Sequence, residues 1–212
     1  IDASGISSKL RRSLGVPTLI EKEIDREDIY LATRVNTLLR DGVEVDQSRL
    51  QIYLDQERAP GGYLWVFPKS NRRVNLGLGI QQRRSHRPLK VLLEEWASST
   101  PVFEGMRPLS EDNNLTGSWP VSLRHQNDCL VANGYMIVGD AAWFPNPSSG
   151  GGIGPALIGG MIAGETAVKA LHEGHVSEQD LWEYNTRYVD AYGKKTAALE
   201  AFRIYLQSLS NK

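Results

Sequence analysis

The residues best suited to chemistry lie near the middle of the chain's second half. An apolar run from Met136 to Val138 is followed by Gly139 and Asp140, so a carboxylate stands at the end of a predicted buried strand. In open α/β sheets, ligands bind beyond the carboxyl ends of the strands. A carboxylate in that place can accept hydrogen bonds from sugar-type hydroxyl groups, which predicts a polar ligand beside Asp140.

A glycine-rich loop follows and leads into a predicted helix. After Pro147 come three consecutive glycines, Gly150, Gly151 and Gly152, and then Ile153 and Gly154. Glycine lacks a Cβ and lets a flat or phosphorylated ligand approach the backbone closely. The free N–H groups at the helix start would attract negative charge on that ligand.

The predicted helix has one side made of very small residues: Ala156, Gly159, Gly160, Ala163, Gly164 and Ala167. Small side chains allow close packing against a cofactor or a neighbouring helix. By itself, a glycine loop before such a helix is more often an ordinary turn. The preceding strand-end Asp140 shifts the interpretation towards a binding site.

A second pattern is aromatic. Tyr63, Trp65 and Phe67 alternate along a predicted strand and so share one face. Pro68 follows, and after eight intervening residues Gly77 and Gly79 occupy another alternating segment, Gly77-Leu78-Gly79. An aromatic wall beside a glycine-containing strand suits an apolar ligand. An isolated aromatic triplet would more often be sheet core.

The elements that must hold these residues give a mixed fold, α+β or α/β. Helical patterns cover residues 6–16 and 88–98, strands of a mostly antiparallel sheet cover about 28–80, and a strand covers 135–139. The pair His172 and His175 marks the end of the helix after the glycine loop. Ser177 and Asp180 resemble a capping box that opens a helical region to about residue 209.

Composition excludes several classes of function. The chain of 212 residues has 24 basic and 25 acidic residues, which gives no electrostatic case for nucleic-acid binding. The single cysteine, Cys129, cannot form an internal disulfide or a cysteine-rich metal site, and no histidine spacing predicts a metal. No apolar run is long enough to span a bilayer.

The glycine-loop motif, Gly139-Asp140-Ala141-Ala142 with Pro147 and Gly150 to Gly152, resembles a flavin-contacting motif of the aromatic-hydroxylase-like flavoproteins. Asp2 to Ser8 with Arg11 resembles that superfamily's mid-chain motif, except that Ser4 stands where aspartate is usual. The stretch Tyr63 to Pro68, with Gly77 and Gly79, resembles the signature of geranylgeranyl reductases. We therefore expect a carboxy-terminal portion of such an FAD-dependent enzyme, without the amino-terminal dinucleotide-binding unit.

This resemblance implies a division of the chain. Residues 1–16 and 123–175 would belong to the FAD-binding domain, residues 17–122 to an antiparallel-sheet substrate domain, and residues 176–212 to a helical region. Asp140 would bind the ribityl chain, Gly151 and Gly152 would lie at the pyrimidine end, and Pro147 would lie beside the ring. Gly139, Gly150 and Ile153 would also contact the cofactor. Tyr63, Trp65, Phe67, Pro68, Gly77 and Gly79 would line the prenyl site.

The implied reaction is reduction of isoprenoid C=C bonds in archaeal-type prenyl lipids, in the cytoplasm and at the membrane periphery. The electron donor is left open between NADPH and a ferredoxin-like protein, and an amino-terminal half would be a partner. Tyr63 and Cys129 are weak candidates for the proton donor. Two alternatives remain: a flavin-dependent hydroxylase or halogenase, and a non-catalytic lipid-binding or interaction fragment without FAD.

Overall fold

A computed structural model of the chain describes residues 1–39, 42, 44–69, 72–99, 116–209 and 211. The chain forms two compact units. The first unit combines Ile1–Asp28 with Val121–Leu206, and the second combines Ile29–Pro120 with Gln207–Lys212. Residues 100–115 of the predicted substrate domain lie outside the described part.

The second unit is built on a five-stranded sheet with strand order β2-β3-β4-β1-β5. Its strands are β1 Ile29–Leu38, β2 Gln51–Tyr53, β3 Tyr63–Lys69, β4 Arg73–Gln81 and β5 Thr116–Ser122. The β1–β4, β2–β3 and β3–β4 pairs are antiparallel, as the alternating sequence patterns predict.

The two faces of this sheet differ because side chains alternate across a strand. On one face Leu64, Val66 and Leu78 are fully buried, and they share a hydrophobic core with Leu92 and Trp96 of helix α2, Leu89–Ser99. The other face carries the three aromatic side chains of β3, which are only partly buried. The sheet therefore has one core face and one apolar face that remains accessible within this unit.

The first unit is mainly helical around two short strands. Its elements are α1 Lys9–Ser13, β6 Val131–Ala132, β7 Tyr135–Met136, α3 Ile153–Glu173, α4 Glu178–Leu181, α5 Glu183–Tyr188, a π-helical turn Val189–Gly193 and α6 Lys194–Ser208. Strands β6 and β7 pair as a hairpin. The amino-terminal segment extends this pairing, because Asp2 bridges to Ile137 in parallel.

The helix boundaries follow local chemistry. Ser8 caps α1 by accepting a hydrogen bond from the backbone N–H of Arg11. Helix α3 ends where Gly174 adopts a left-handed conformation, with φ of 72°. The predicted capping box is confirmed: Ser177 accepts from the Asp180 backbone, and the Asp180 carboxylate accepts from the Ser177 backbone.

The core of the first unit is formed by the strand segment, the following turn and the carboxy-terminal helices. Phe144 stacks on Tyr188 with ring centroids 3.9 Å apart, and both are fully buried. Tyr184 donates a hydrogen bond to the carbonyl of Ile137, 2.9 Å away. These contacts fix the strand end from which the glycine loop departs.

Candidate functional site

The strand-end carboxylate is placed by a backbone that only glycine adopts without strain. The N–H of Val138 donates to the carbonyl of Asp2 at 3.0 Å, which ends the extended pairing. The chain then turns at Gly139, whose φ is 60°, into a 3₁₀ turn over Gly139–Ala142. This turn presents the side chain of Asp140 at the end of the strand.

The Asp140 carboxylate is half-buried, and burial raises its pKa above the usual value for an aspartate. Within the described part of the chain, no donor lies within hydrogen-bond distance of it. A Cβ placed on Gly152 would lie 3.4 Å from Asp140 Oδ1. The carboxylate therefore lies directly beside the start of α3.

The loop that joins Asp140 to α3 is organised around Asn146. Its carbonyl accepts hydrogen bonds from Ser149 and Gly150 at 3.2 and 2.8 Å, and its N–H donates to Gly151 at 3.1 Å. Its side-chain oxygen accepts from the Ser148 N–H at 2.9 Å. The sequence analysis did not single out Asn146, although Asn-Pro is a turn-forming pair.

The first turn of α3 has no capping side chain. Gly152 precedes the helix without a side-chain cap, and Ile153 is 81% exposed. A Cβ on Gly154 would meet no described atom within 4 Å. The partial positive charge of the helix start therefore faces open space next to a carboxylate without donors.

Behind this site lies Arg11, which is fully buried. Its guanidinium donates hydrogen bonds to the carbonyls of Ala141 and Ile6 and lies 4.8 Å from the centre of the Trp143 ring. It thus holds the turn that carries Asp140. Ala141 is 130 residues from Arg11 in the chain, so local sequence patterns could not predict this contact.

The aromatic candidates form a continuous row on β3. The ring of Trp65 has its centroid 5.8 Å from that of Tyr63 and 6.0 Å from that of Phe67. The register places Trp65 opposite Gly77 and Tyr63 opposite Gly79. Pro68 is half-buried and pairs with Val74 on β4.

The two predicted groups of site residues lie in separate units. The cofactor candidates from Gly139 to Ile153 are in the first unit, and the substrate candidates from Tyr63 to Gly79 are in the second. Within each group the structure brings the residues together. Their assignment to a flavin and to a prenyl chain remains a prediction.

The two proton-donor candidates differ in exposure: Tyr63 is partly buried and Cys129 is buried. Burial raises the pKa of Tyr63. Cys129 is 3% exposed, donates to the carbonyl of Val131 at 3.2 Å, and has a pKa raised by burial. Cys129 belongs to the hydrophobic core of the first unit.

Among the described residues, no group of three or more histidine, cysteine, aspartate or glutamate side chains is arranged to hold a metal ion. None of the described helices has the length and apolar character needed to cross a membrane.

The chain shares its fold with solved flavin-dependent enzymes. At 18% identity and a TM-score of 0.69, the chain resembles a myxobacterial FAD-dependent halogenase over its whole length, which shows a shared fold. It is more similar to a geranylgeranyl bacteriochlorophyll reductase-like protein from Thermoplasma acidophilum, with a TM-score of 0.86 and 27% identity. That match covers 97% of this chain and 49% of the solved chain.

Residues 28–110 match the family model described as the geranylgeranyl reductase catalytic domain. Digeranylgeranylglycerophospholipid reductases of Sulfolobus acidocaldarius and Methanococcoides burtonii are each 35% identical, over 100% and 93% of this chain. The chain is thus similar to members of the geranylgeranyl reductase family, which confirms the resemblance found in the sequence. It spans about half the length of these relatives, 46% and 45%.

Proposed function

We propose that this protein, as part of an FAD-dependent reductase, acts on the C=C bonds of geranylgeranyl chains in prenyl lipids. The first unit would hold part of the flavin and the second would hold the prenyl chain. The observation that carries the proposal is the Asp140 carboxylate, which lies beside the uncapped start of α3 without a donor among the described residues.

The chemistry of this site fits a flavin. Asp140 can accept hydrogen bonds from ribityl hydroxyl groups, and the N–H groups at the start of α3 suit the electron-rich pyrimidine edge. Without side chains, Gly151 and Gly152 would let a flat ring approach the backbone, and the loop closed by Asn146 would hold Pro147 near it. When bound, a reduced flavin supplies the hydride that such a reduction requires.

The sheet face of the second unit fits an isoprenoid chain. Tyr63, Trp65 and Phe67 offer a row of partly buried rings, and Ile52, opposite Trp65 on the edge strand, is 53% exposed. An apolar chain laid on this face would remove the rings from water. These side chains bind and orient the substrate and exclude water from it.

Lipid substrates reside in membranes, so we also propose a cytoplasmic enzyme that contacts the membrane surface. Its electron donor would be NADPH or a ferredoxin-like protein. The halogenase likeness is one of fold, and no residue described here favours oxygen chemistry over reduction. The alternative function, a non-catalytic interaction module, would be indicated by failure to bind FAD in the first experiment.

The test begins with FAD binding by the full-length protein, followed through gel filtration by visible absorbance. We expect the wild-type protein to retain FAD and Asp140→Ala to bind it about tenfold or more weakly, because a hydrogen bond to a charged group is lost. Asp190→Ala is the control, since its side chain is 69% exposed and pairs with Lys194 on the surface.

The second step supplies chemically reduced FAD and a geranylgeranyl ether lipid to the same proteins. We expect a mass gain of two hydrogen atoms for each reduced bond with wild type and Asp190→Ala. Failure of the wild-type protein to retain FAD would contradict the flavin site. Retention of FAD without any mass gain would contradict the assignment of a prenyl substrate.

A further inference from the structure

The indole of Trp65 is held by a relay of two amides across the sheet. Its Nε1–H donates to Asn75 Oδ1 on β4 at 2.7 Å, and Asn75 Nδ2 donates to Asn36 Oδ1 on β1 at 3.0 Å. An indole N–H can only donate, so it requires the oxygen of Asn75. The amide nitrogen of Asn75 must then face Asn36, which fixes the direction of the whole relay.

The indole of Trp65 is also held by the backbone of β4 at Gly77, on which it lies. A Cβ on Gly77 would lie 2.1 Å from Trp65 Cζ2 and 2.6 Å from the backbone oxygen of Thr33. Gly79, two residues along the same face, would bring a Cβ no closer than 4.0 Å to the Ala32 side chain. The first glycine of the Gly-x-Gly segment is therefore the platform of the Trp65 ring.

Asn36 and Asn75 are unusual residues for this sheet face, and their hydrogen bonds to each other and to Trp65 account for their presence. Asparagine is depleted in strands, where β-branched and aromatic residues pack better. Asn36 and Asn75 are directly opposite each other and both are half-buried, next to the aromatic row. A partly buried amide costs free energy unless its hydrogen bonds are made, and here each makes one with its neighbour.

A prenyl chain repeats one isoprene unit, so a smooth apolar wall would let the chain slide from one unit to the next. With a rigid ring at a fixed place, the positions of the chain are no longer equivalent in energy, because the methyl branches of the isoprene units must fit on either side of the ring. We propose that Asn75 and Asn36 are positioning residues: they lock the Trp65 indole and so determine which double bond is reduced. This inference rests on the proposed function.

The test uses the full-length protein and two readouts. The first is the Trp65 indole N–H resonance in ¹⁵N NMR spectra, assigned with Trp65→Phe. The second is the position of the reduced bonds in the product, determined by mass spectrometry after partial reduction of a geranylgeranyl lipid with reduced FAD. The resonance reports the relay independently of catalysis.

Asn75→Leu removes both bonds at nearly constant size, and Asn36→Leu removes the second bond alone. We expect each to move the indole resonance and to lower the preference for one double bond by about tenfold, as the loss of a hydrogen bond allows. Asn75→Asp keeps the acceptor for Trp65, and the Asn36 amide can turn to donate to it. This variant should keep the indole N–H hydrogen-bonded, with its resonance moved in the opposite direction from that of Asn75→Leu by the charged acceptor, and should retain the wild-type product pattern.

Gln51→Leu is the matched control, since it replaces an amide on β2 that bonds Tyr53. An unchanged indole resonance in Asn75→Leu would overturn the relay. A moved resonance with an unchanged product pattern would overturn the specificity role, while the proposed function would stand. Absence of any prenyl reduction by the wild-type protein would overturn the proposed function, and the specificity role with it.

Discussion

At the residue scale, two aspartates of the first unit show how the surroundings decide what a carboxylate does. Burial alone would raise the pKa of Asp2. Hydrogen bonds from Ser4, Ser8 and Tyr135 outweigh this effect and lower the pKa to about 2. Asp140 receives no such donors, and burial raises its pKa. The carboxylate oxygens of Asp2 accept hydrogen bonds from other residues of the chain, whereas those of Asp140 are available to a ligand.

The bonds of Asp2 predict a defined dependence of stability on pH. Its folded pKa is depressed, so its contribution is present above about pH 4 and is lost as the pH falls towards 2. We expect Asp2→Asn to lower the free energy of unfolding by about 2 kcal/mol at pH 7, with the difference shrinking below pH 4. Urea unfolding of the purified chain at several pH values measures this.

Asp190→Asn is the control for that series, because its surface pair with Lys194 contributes little. A difference between Asp2→Asn and wild type that stays constant down to pH 2 would show that the Asp2 hydrogen bonds do not favour the charged form.

Local residue patterns could predict part of this site. Strict alternation placed Tyr63, Trp65 and Phe67 on one face, and the ring contacts confirm that arrangement. Alternation within a strand says nothing about its register with other strands. The Asn36–Asn75 contact spans 39 residues and depends on how β1 pairs with β4, so the sequence could not reveal it.

At the element scale, α3 shows what a stripe of small residues does. The sequence predicted close packing on that side against a cofactor or a neighbouring helix, whereas the contact found is with Phe144, just after the turn Gly139–Ala142. The structure assigns the close contact to Gly159, where a Cβ would lie 2.3 Å from Phe144 Cε2. At Gly160 and Gly164 a Cβ would meet no described atom within 4 Å. One glycine therefore permits helix packing, and its neighbours serve no such contact within the described residues.

This contrast predicts opposite effects of the same substitution at adjacent positions. Gly159→Ala should lower the free energy of unfolding by about 1–3 kcal/mol, because Phe144 is fully buried and has little room to move. Gly160→Ala should raise it by about 0.5–1 kcal/mol, since alanine favours the helix and restricts the unfolded chain. Urea unfolding of the purified chain compares the two directly.

Either variant can contradict the packing account. A Gly159→Ala protein as stable as wild type would mean that Phe144 can shift away from α3. A destabilised Gly160→Ala protein would mean that this side of the helix has a close neighbour in solution.

At the scale of the whole molecule, the two groups of candidate residues fall in two units, each with its own hydrophobic core. The flavin candidates depend on the strand, turn and helix of the first unit. The prenyl candidates depend on strand pairing in the second. Each ligand should therefore stabilise its own set of hydrogen bonds.

Hydrogen exchange of the full-length protein can separate the two ligands. At a hundredfold excess over its dissociation constant, a ligand can slow exchange from its binding segment by up to about 100-fold. We expect FAD to protect residues 138–156 and a geranylgeranyl lipid to protect residues 63–69 and 73–81. Asp140→Ala should weaken the protection by FAD alone by about tenfold or more, and Trp65→Ala should weaken protection by the lipid alone, because each acts on contacts within one unit. If Asp140→Ala instead removed protection by the lipid in the absence of FAD, the division of roles between the units would be wrong.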